Sequence, residues 1–280
     1  MKYIFNGNLF EESDAIFGLT NRAFHSGDFI SEFVKVSNGN LLLWEEHYFN
    51  LMASMRIFRM KIPIEFTQEF FEDKINRVLK ENSESQVKIK ISVFRNSDKN
   101  DFLTHSSVSY AIQIDKVFSE STYNWENEVS EIDVFRDFTV NPSFFAQLDL
   151  HRPEEIIAHA YKQENEYRDL VLLNPDKRMA RSLEGSPFLI QGNRMVTPPI
   201  AEGGIRSVTR NHLVKLLKRN PNFEFEEAEV FPFEMQKSDE LFICVESEGI
   251  LSIHQSRKKT YATEKTKWVH DMLNESIELN

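Results

Sequence analysis

MARSLEGSPFLIQGNRMVTPPIAEGGIRSVTR, residues 179–210, is the stretch whose reading decides the fold. Residues 187–190 and 195–196 read as two short strands around Gly192-Asn193, a hairpin-grade turn signal. Thr197-Pro198-Pro199 cannot extend a central strand, because two successive residues lack a backbone donor. Gly203-Gly204 then leads into residues 205–217, whose apolar positions recur at helical spacing. A glycine-rich turn feeding a helix offers unpaired N–H groups to an anion. An ordinary strand-to-helix connection has the same signature.

Upstream of that stretch, residues 2–5 and 9–10 read as a strand and its return about Asn6-Gly7-Asn8, followed by an irregular segment. Residues 29–37 and 41–45 are strand-like runs joined at Asn38-Gly39, a strong hairpin signal. Residues 46–58 predict a helix with Tyr48, Leu51, Met52, Met55 and Phe58 on one face. A second helix is predicted over 66–81, with Thr67 as N-cap. Residues 87–95 alternate as a half-buried strand, and 107–115 form its antiparallel partner. The polar run 119–127 reads as a linker, so the expected domains are 1–118 and 128–280. In the second domain, strands are expected at 129–138, 170–173, 223–231, 241–245 and 250–254. Helices are expected from Pro153 to about Asn165 and over 263–279. The acidic run 224–229 reads as one wet strand face.

Composition bounds the function classes. The chain has 280 residues, 41% hydrophobic and 28% charged, values of a globular protein whose 24 Phe fill much of the core. A net charge of −11 argues against a general nucleic-acid or anionic-membrane surface. The single cysteine, Cys244, excludes an intrachain disulfide and a Cys-based metal cluster, and the eight His show no metal-ligand spacing. No apolar run approaches membrane-spanning length and residues 1–10 lack a signal-peptide core, so a soluble cytoplasmic protein is expected.

Strand, hairpin, Thr-Pro-Pro, a glycine loop and then Ser207-Val208-Thr209-Arg210 opening a helix resembles the class IV aminotransferases. That family has pyridoxal-phosphate fold type IV and contains branched-chain and D-amino acid aminotransferases and aminodeoxychorismate lyase. The resemblance implies an α+β fold of two domains, the second α/β-barrel-like. It also implies a homodimer with the ligand pocket between the domains. Gly27-Asp28 before a strand with Glu32 is similar to one further segment of the family. The helix carrying His47, Leu51 and Ser54 is similar to another.

The same register exposes departures. The family's phosphate-anchoring Arg falls on Asn50, a neutral donor in place of a charged fork. The Schiff-base lysine falls on Asp149, and no lysine occurs between Lys116 and Lys162. A carboxylate can move a proton but cannot form an imine. The family's Glu at the pyridine nitrogen falls on Arg181, with Ser186 on the neighbouring Asn. A local register shift would instead offer Glu184, at the expense of the fit to Phe188. Ser207, Val208 and Thr209 keep the helix start of the phosphate cup, whereas Glu246 falls near its second Thr.

The expected cofactor is therefore pyridoxal phosphate in the family, but absent or weakly and non-covalently bound here. The first reading is a family member that lost covalent catalysis and binds another small molecule or serves as a partner subunit, with Asp149 and Arg181 paired. The alternatives are an active pyridoxal-dependent aminotransferase or aminodeoxychorismate lyase with a non-standard site, and a cofactor-free acid–base enzyme using Asp149 and His151. Ser143, Asp149 and His151 lie close in sequence, which also suits polar residues at a domain seam. His25 and His47 read as isolated structural residues, and Asp28 as a turn residue.

Overall fold

The structure is a computed structural model that describes residues 1–14, 21–96, 107–125 and 128–278. The chain divides into two compact units, Met1–Ser121 with Leu148–His151, and Thr122–Gln147 with Arg152–Asn280.

The first unit contains β1 (Lys2–Phe5), β2 (Asn8–Glu11), α1 (Arg22–Ser26), β3 (Phe29–Ser37), β4 (Asn40–Leu41), α2 (Trp44–Ile57), α3 (Gln68–Asn82), β5 (Val87–Arg95) and β6 (Val108–Val117). Its strands form one six-stranded antiparallel sheet in the order β2-β1-β6-β5-β3-β4. Val87, Ile89, Ile91 and Val93 alternate along β5 and are all buried, and Leu51 and Met55 of α2 and Phe71, Ile75 and Val78 of α3 join them in one core. Thr67 caps α3 as expected, its hydroxyl accepting from the Phe70 N–H at 3.2 Å.

The strand expected over 41–45 is not formed beyond Leu41. Leu43 takes a left-handed conformation (φ 51°), the chain turns, and Trp44 enters the core as the first residue of α2. Glu45 and Glu46 then sit in the first turn, where the helix dipole favours them. Helix α1 escaped the pattern reading because none of its residues is buried, so it carries no apolar stripe. Its C-cap, Gly27, is left-handed (φ +61°), and a Cβ there would lie 2.8 Å from His151 Cδ2, so the position needs glycine twice over.

The second unit begins with β7 (Ile132–Val134), α4 (Pro153–Glu164), β8 (Asp169–Leu173), β9 (Met179–Ser182), β10 (Gly185–Gln191), β11 (Arg194–Thr197) and a 3-10 turn at Ile200–Glu202. It continues with α5 (Val208–Arg219), β12 (Glu224–Glu227), α6 (Pro232–Lys237), β13 (Glu240–Val245), β14 (Gly249–Ile253), β15 (Gln255–Ser256), β16 (Lys259–Thr260) and α7 (Glu264–Glu278). A five-stranded sheet runs β12-β11-β10-β13-β14, a three-stranded sheet runs β7-β8-β9, and β15 and β16 make a small hairpin.

The deciding stretch folds as its turn chemistry requires. Leu189 pairs with Val196, Ile190 with Met195 and Gln191 with Arg194 about Gly192-Asn193, and Thr197 ends the strand before the two prolines. The strand expected over 129–138 shrinks to Ile132–Val134, the three residues that find β8 as a parallel partner. Strand β9 was not predicted, because Met179 and Ala180 are followed by Arg181 and Ser182, yet all four are buried beside β8. The closing helix spans Glu264–Glu278, and residue 279 of the expected helix lies outside the described residues.

Candidate functional site

In the first unit the sheet and α2 bring together Glu32, His47 and Asn50. Glu32 points from β3, where it pairs with Ile91, and its carboxylate meets two side chains spaced three apart on α2. His47 Nδ1 lies 2.6 Å from Glu32 Oε1, and Asn50 Nδ2 donates to Glu32 Oε2 at 2.9 Å. Glu32 and His47 are buried. His47 is thus half of a buried carboxylate–imidazole pair, not the isolated residue that the sequence indicated. Asn50 uses its donor on a carboxylate within its own unit, and its Oδ1 is buried with no hydrogen-bond partner among the described residues. Asp28 likewise exceeds its expected turn role, because Arg22 Nη2 reaches it at 2.6 Å and Arg95 Nη1 at 2.5 Å.

Asp149 follows a turn over residues 144–147 and belongs to the same unit. Its carbonyl accepts from the Ser31 N–H at 3.5 Å, Leu150 packs on the core, and the His151 ring stacks on Phe29 at 6.5 Å. Of the three polar residues clustered in sequence here, Ser143 falls in the second unit.

In the second unit four predicted residues converge. Ser207 is the N-cap of α5, its hydroxyl accepting from the Arg210 N–H at 3.0 Å. Glu246, just beyond β13, lays its carboxylate on the same helix start. Oε2 accepts the Val208 N–H at 2.6 Å, and Oε1 accepts the Thr209 N–H at 3.2 Å and the Thr209 hydroxyl at 2.5 Å. The Ser247 N–H adds a further bond to Oε1 at 3.1 Å. Tyr123, within the segment read as linker, is buried next to Thr209. Burial, reinforced by the nearby Glu246 charge, pushes its phenol well above the usual range despite the hydrogen bond with Thr209. Neither Tyr123 nor Ser247 carried a sequence signal: one lies in a polar stretch without periodicity, and the other acts through its backbone.

Ser186 lies on β10 opposite Cys244 of β13, and is buried. The neighbouring Gly185 makes this pairing close enough that a Cβ would sit 2.1 Å from the Cys244 carbonyl oxygen. Arg181 is 2% exposed on β9 and forms its ion pair with Glu155 of α4, while Nη1 donates to the Ser182 carbonyl at 3.0 Å. Pro153 starts α4 so that Glu155 in its first turn reaches β9, which gives Arg181 a charged partner within its own unit. Glu184 is held by Lys162 and by Arg168 Nη1 at 2.6 Å. Burial works to raise its pKa, but hydrogen bonds and charge from those two cations outweigh it and hold it below the usual value. Close by, Asp169 is fully buried and raised to about 6, by burial first and the Glu184 charge second.

Among the described residues no group of three or more His, Cys, Asp and Glu side chains is arranged to hold a metal ion. No helix among them is long and apolar enough to cross a membrane.

The amino-transferase class IV family model matches residues 30–255. D-alanine aminotransferase of Bacillus licheniformis is 22% identical over 261 residues, 90% of this chain and 87% of that protein. The structure of a branched-chain aminotransferase from Thermoproteus uzoniensis with norvaline superposes with a TM-score of 0.86 at 16% identity, covering 99% of this chain and 94% of that one. A putative 4-amino-4-deoxychorismate lyase from Legionella pneumophila gives a TM-score of 0.81 at 18% identity, covering 94% and 96%. At these identities the structural likenesses show the pyridoxal-phosphate type IV fold and no more.

Proposed function

The chain belongs to the class IV aminotransferase family, and on that premise we propose that it has left covalent pyridoxal-phosphate catalysis and keeps the fold for another role. That role is binding a different small molecule or serving as a subunit of an assembly, with a homodimer the first arrangement to test. The observation that carries the reading is the aspartate at the imine position. Transamination and the related lyase reaction need a primary amine that forms and exchanges an imine with the cofactor aldehyde. In the register of the family motifs this position is Asp149, and the flanking lysines are Lys116 and Lys162. Lys116 is an exposed residue of β6, and Lys162 is spent on Glu184.

The remaining positions support the same conclusion. Pyridoxal phosphate carries close to two negative charges on its phosphate and needs cationic or N–H donors to meet them. Asn50 stands where the family has Arg, and its amide is committed to Glu32. Arg181 stands where the family has a Glu, and a guanidinium next to a pyridine nitrogen disfavours the protonated ring. Its charge is already met by Glu155. A shift that brought Glu184 into that role would have to strip it of both Lys162 and Arg168. The residues present do not fit the cofactor in the family's manner.

The deciding experiment is an absorbance spectrum of the purified protein with pyridoxal phosphate before and after borohydride, followed by peptide mapping. A spectrum matching free cofactor, with no lysine modified stoichiometrically, is expected. A long-wavelength imine band fixed onto a single lysine would establish the alternative, an active aminotransferase or lyase with a non-standard site.

A further inference from the structure

We propose that Glu246 is a resident anion: its carboxylate fills the α5 N-terminus and is what keeps phosphoryl ligands from that site. The inference deepens the reading above and rests on it for its context. Its observation is a separate one, however.

Four donors from two segments converge on this one carboxylate: the Val208 and Thr209 N–H groups, the Thr209 hydroxyl and the Ser247 N–H. No Lys or Arg pairs with Glu246 among the described residues, so its charge is met by N–H and O–H dipoles and by the positive end of a 12-residue helix. That is how a protein holds a bound phosphate or sulfate, with a side chain here taking the ion's place.

Two comparisons within the chain separate this from ordinary capping. First, α5 already has a cap in Ser207, whose hydroxyl serves the Arg210 N–H, so Glu246 is an additional acceptor at an end that has one. Second, the other end of β13 shows the plain structural version. Glu240 accepts from the Lys265 N–H at 3.0 Å, the Thr266 N–H at 2.7 Å and the Thr266 hydroxyl at 2.8 Å at the start of α7. Glu240 is 3% exposed, whereas Glu246 is half-buried and so less enclosed. A phosphate entering there would face a carboxylate at contact distance, and the repulsion excludes it.

The test uses the full chain with Glu246→Ser, Glu246→Gln and the control Glu240→Gln, titrated with inorganic phosphate by calorimetry at constant ionic strength, beside melting curves in phosphate and chloride. Wild type and Glu240→Gln are expected to bind no phosphate at millimolar concentration. Glu246→Ser is expected to bind at least tenfold more tightly than wild type and to gain thermal stability from phosphate but not from chloride. Glu246→Gln, whose neutral amide still fills the space, is expected to fall between them. Phosphate binding by wild type equal to that of the variants overturns the proposal, as does no gain in either variant. If Glu246→Ser does not fold, Glu246→Gln decides alone. Phosphate affinity is independent of any imine, so this result and the borohydride result can fail separately.

Discussion

Removing the Glu155 carboxylate should strand one of the most deeply buried charges in the second unit. The Arg181 guanidinium is 2% exposed, and its Nε is buried with no hydrogen-bond partner among the described residues. Its polar partners are the Glu155 carboxylate and the Ser182 carbonyl. Glu155→Ala leaves a full positive charge facing one neutral acceptor. Breaking a buried pair from one side costs about 3–5 kcal/mol. The Glu155 side chain is itself 17% exposed, so water partly replaces it, and a loss at the low end, about 3 kcal/mol, is expected. Arg181→Met removes the buried charge and leaves a carboxylate that water and Arg152 can still reach, so a smaller loss of about 1–2 kcal/mol follows. The double variant Glu155→Ala/Arg181→Met removes both charges and should lie within ~1 kcal/mol of wild type. Urea unfolding at neutral pH, followed by far-UV circular dichroism, measures all three stabilities and the coupling between the sites. With a slope near the upper end of the usual range, the Glu155→Ala midpoint should fall by about 1 M. Single-variant losses that simply add in the double variant, to within ~0.5 kcal/mol, would refute the claim that the two charges depend on each other.

Asp169 gives a pH signature in the same unit. Its folded pKa of about 6 lies above the ordinary 3.8, so the fold favours the protonated carboxyl. Stability is fully present below about pH 4, falls as pH rises towards 6, and levels off above it. The interval from 3.8 to about 6 corresponds to up to ~3 kcal/mol, so Asp169→Asn should exceed wild type at pH 7 and converge with it near pH 4. Denaturant titrations at several pH values check this, and a constant offset between the two proteins would count against it. The Cys244 thiol is fully buried and pushed well above its usual pKa by burial, reinforced by the Glu246 charge. A chromogenic disulfide reagent should therefore find no reactive thiol in the native protein and one after unfolding, whereas rapid native labelling would contradict the burial.

Much of the fold was legible locally. The Asn38-Gly39 and Gly192-Asn193 turns, the period-two run at Val87–Arg95 and the Thr67 cap depend on neighbours in sequence, and each was found where the pattern put it. Errors arose where tertiary partners override local pattern. Trp44 leaves a strand-like run because the core accepts its ring, and Met179–Ser182 becomes a strand because β8 lies alongside it. The departures from the family motifs that we propose at Asn50, Asp149, Arg181 and Glu246 are likewise read from sequence, since residue identity alone decides whether an amine or a guanidinium is present. What those residues do instead is not. Arg181 finds Glu155 across 26 positions, Asn50 finds Glu32 across 18, and Glu246 finds the α5 N-terminus across 37 and 38. Chemistry that requires a particular functional group can be read from one position in the chain. The partner that neutralises a charge is fixed only when folding brings distant segments within hydrogen-bond reach, and burial then makes that partner obligatory.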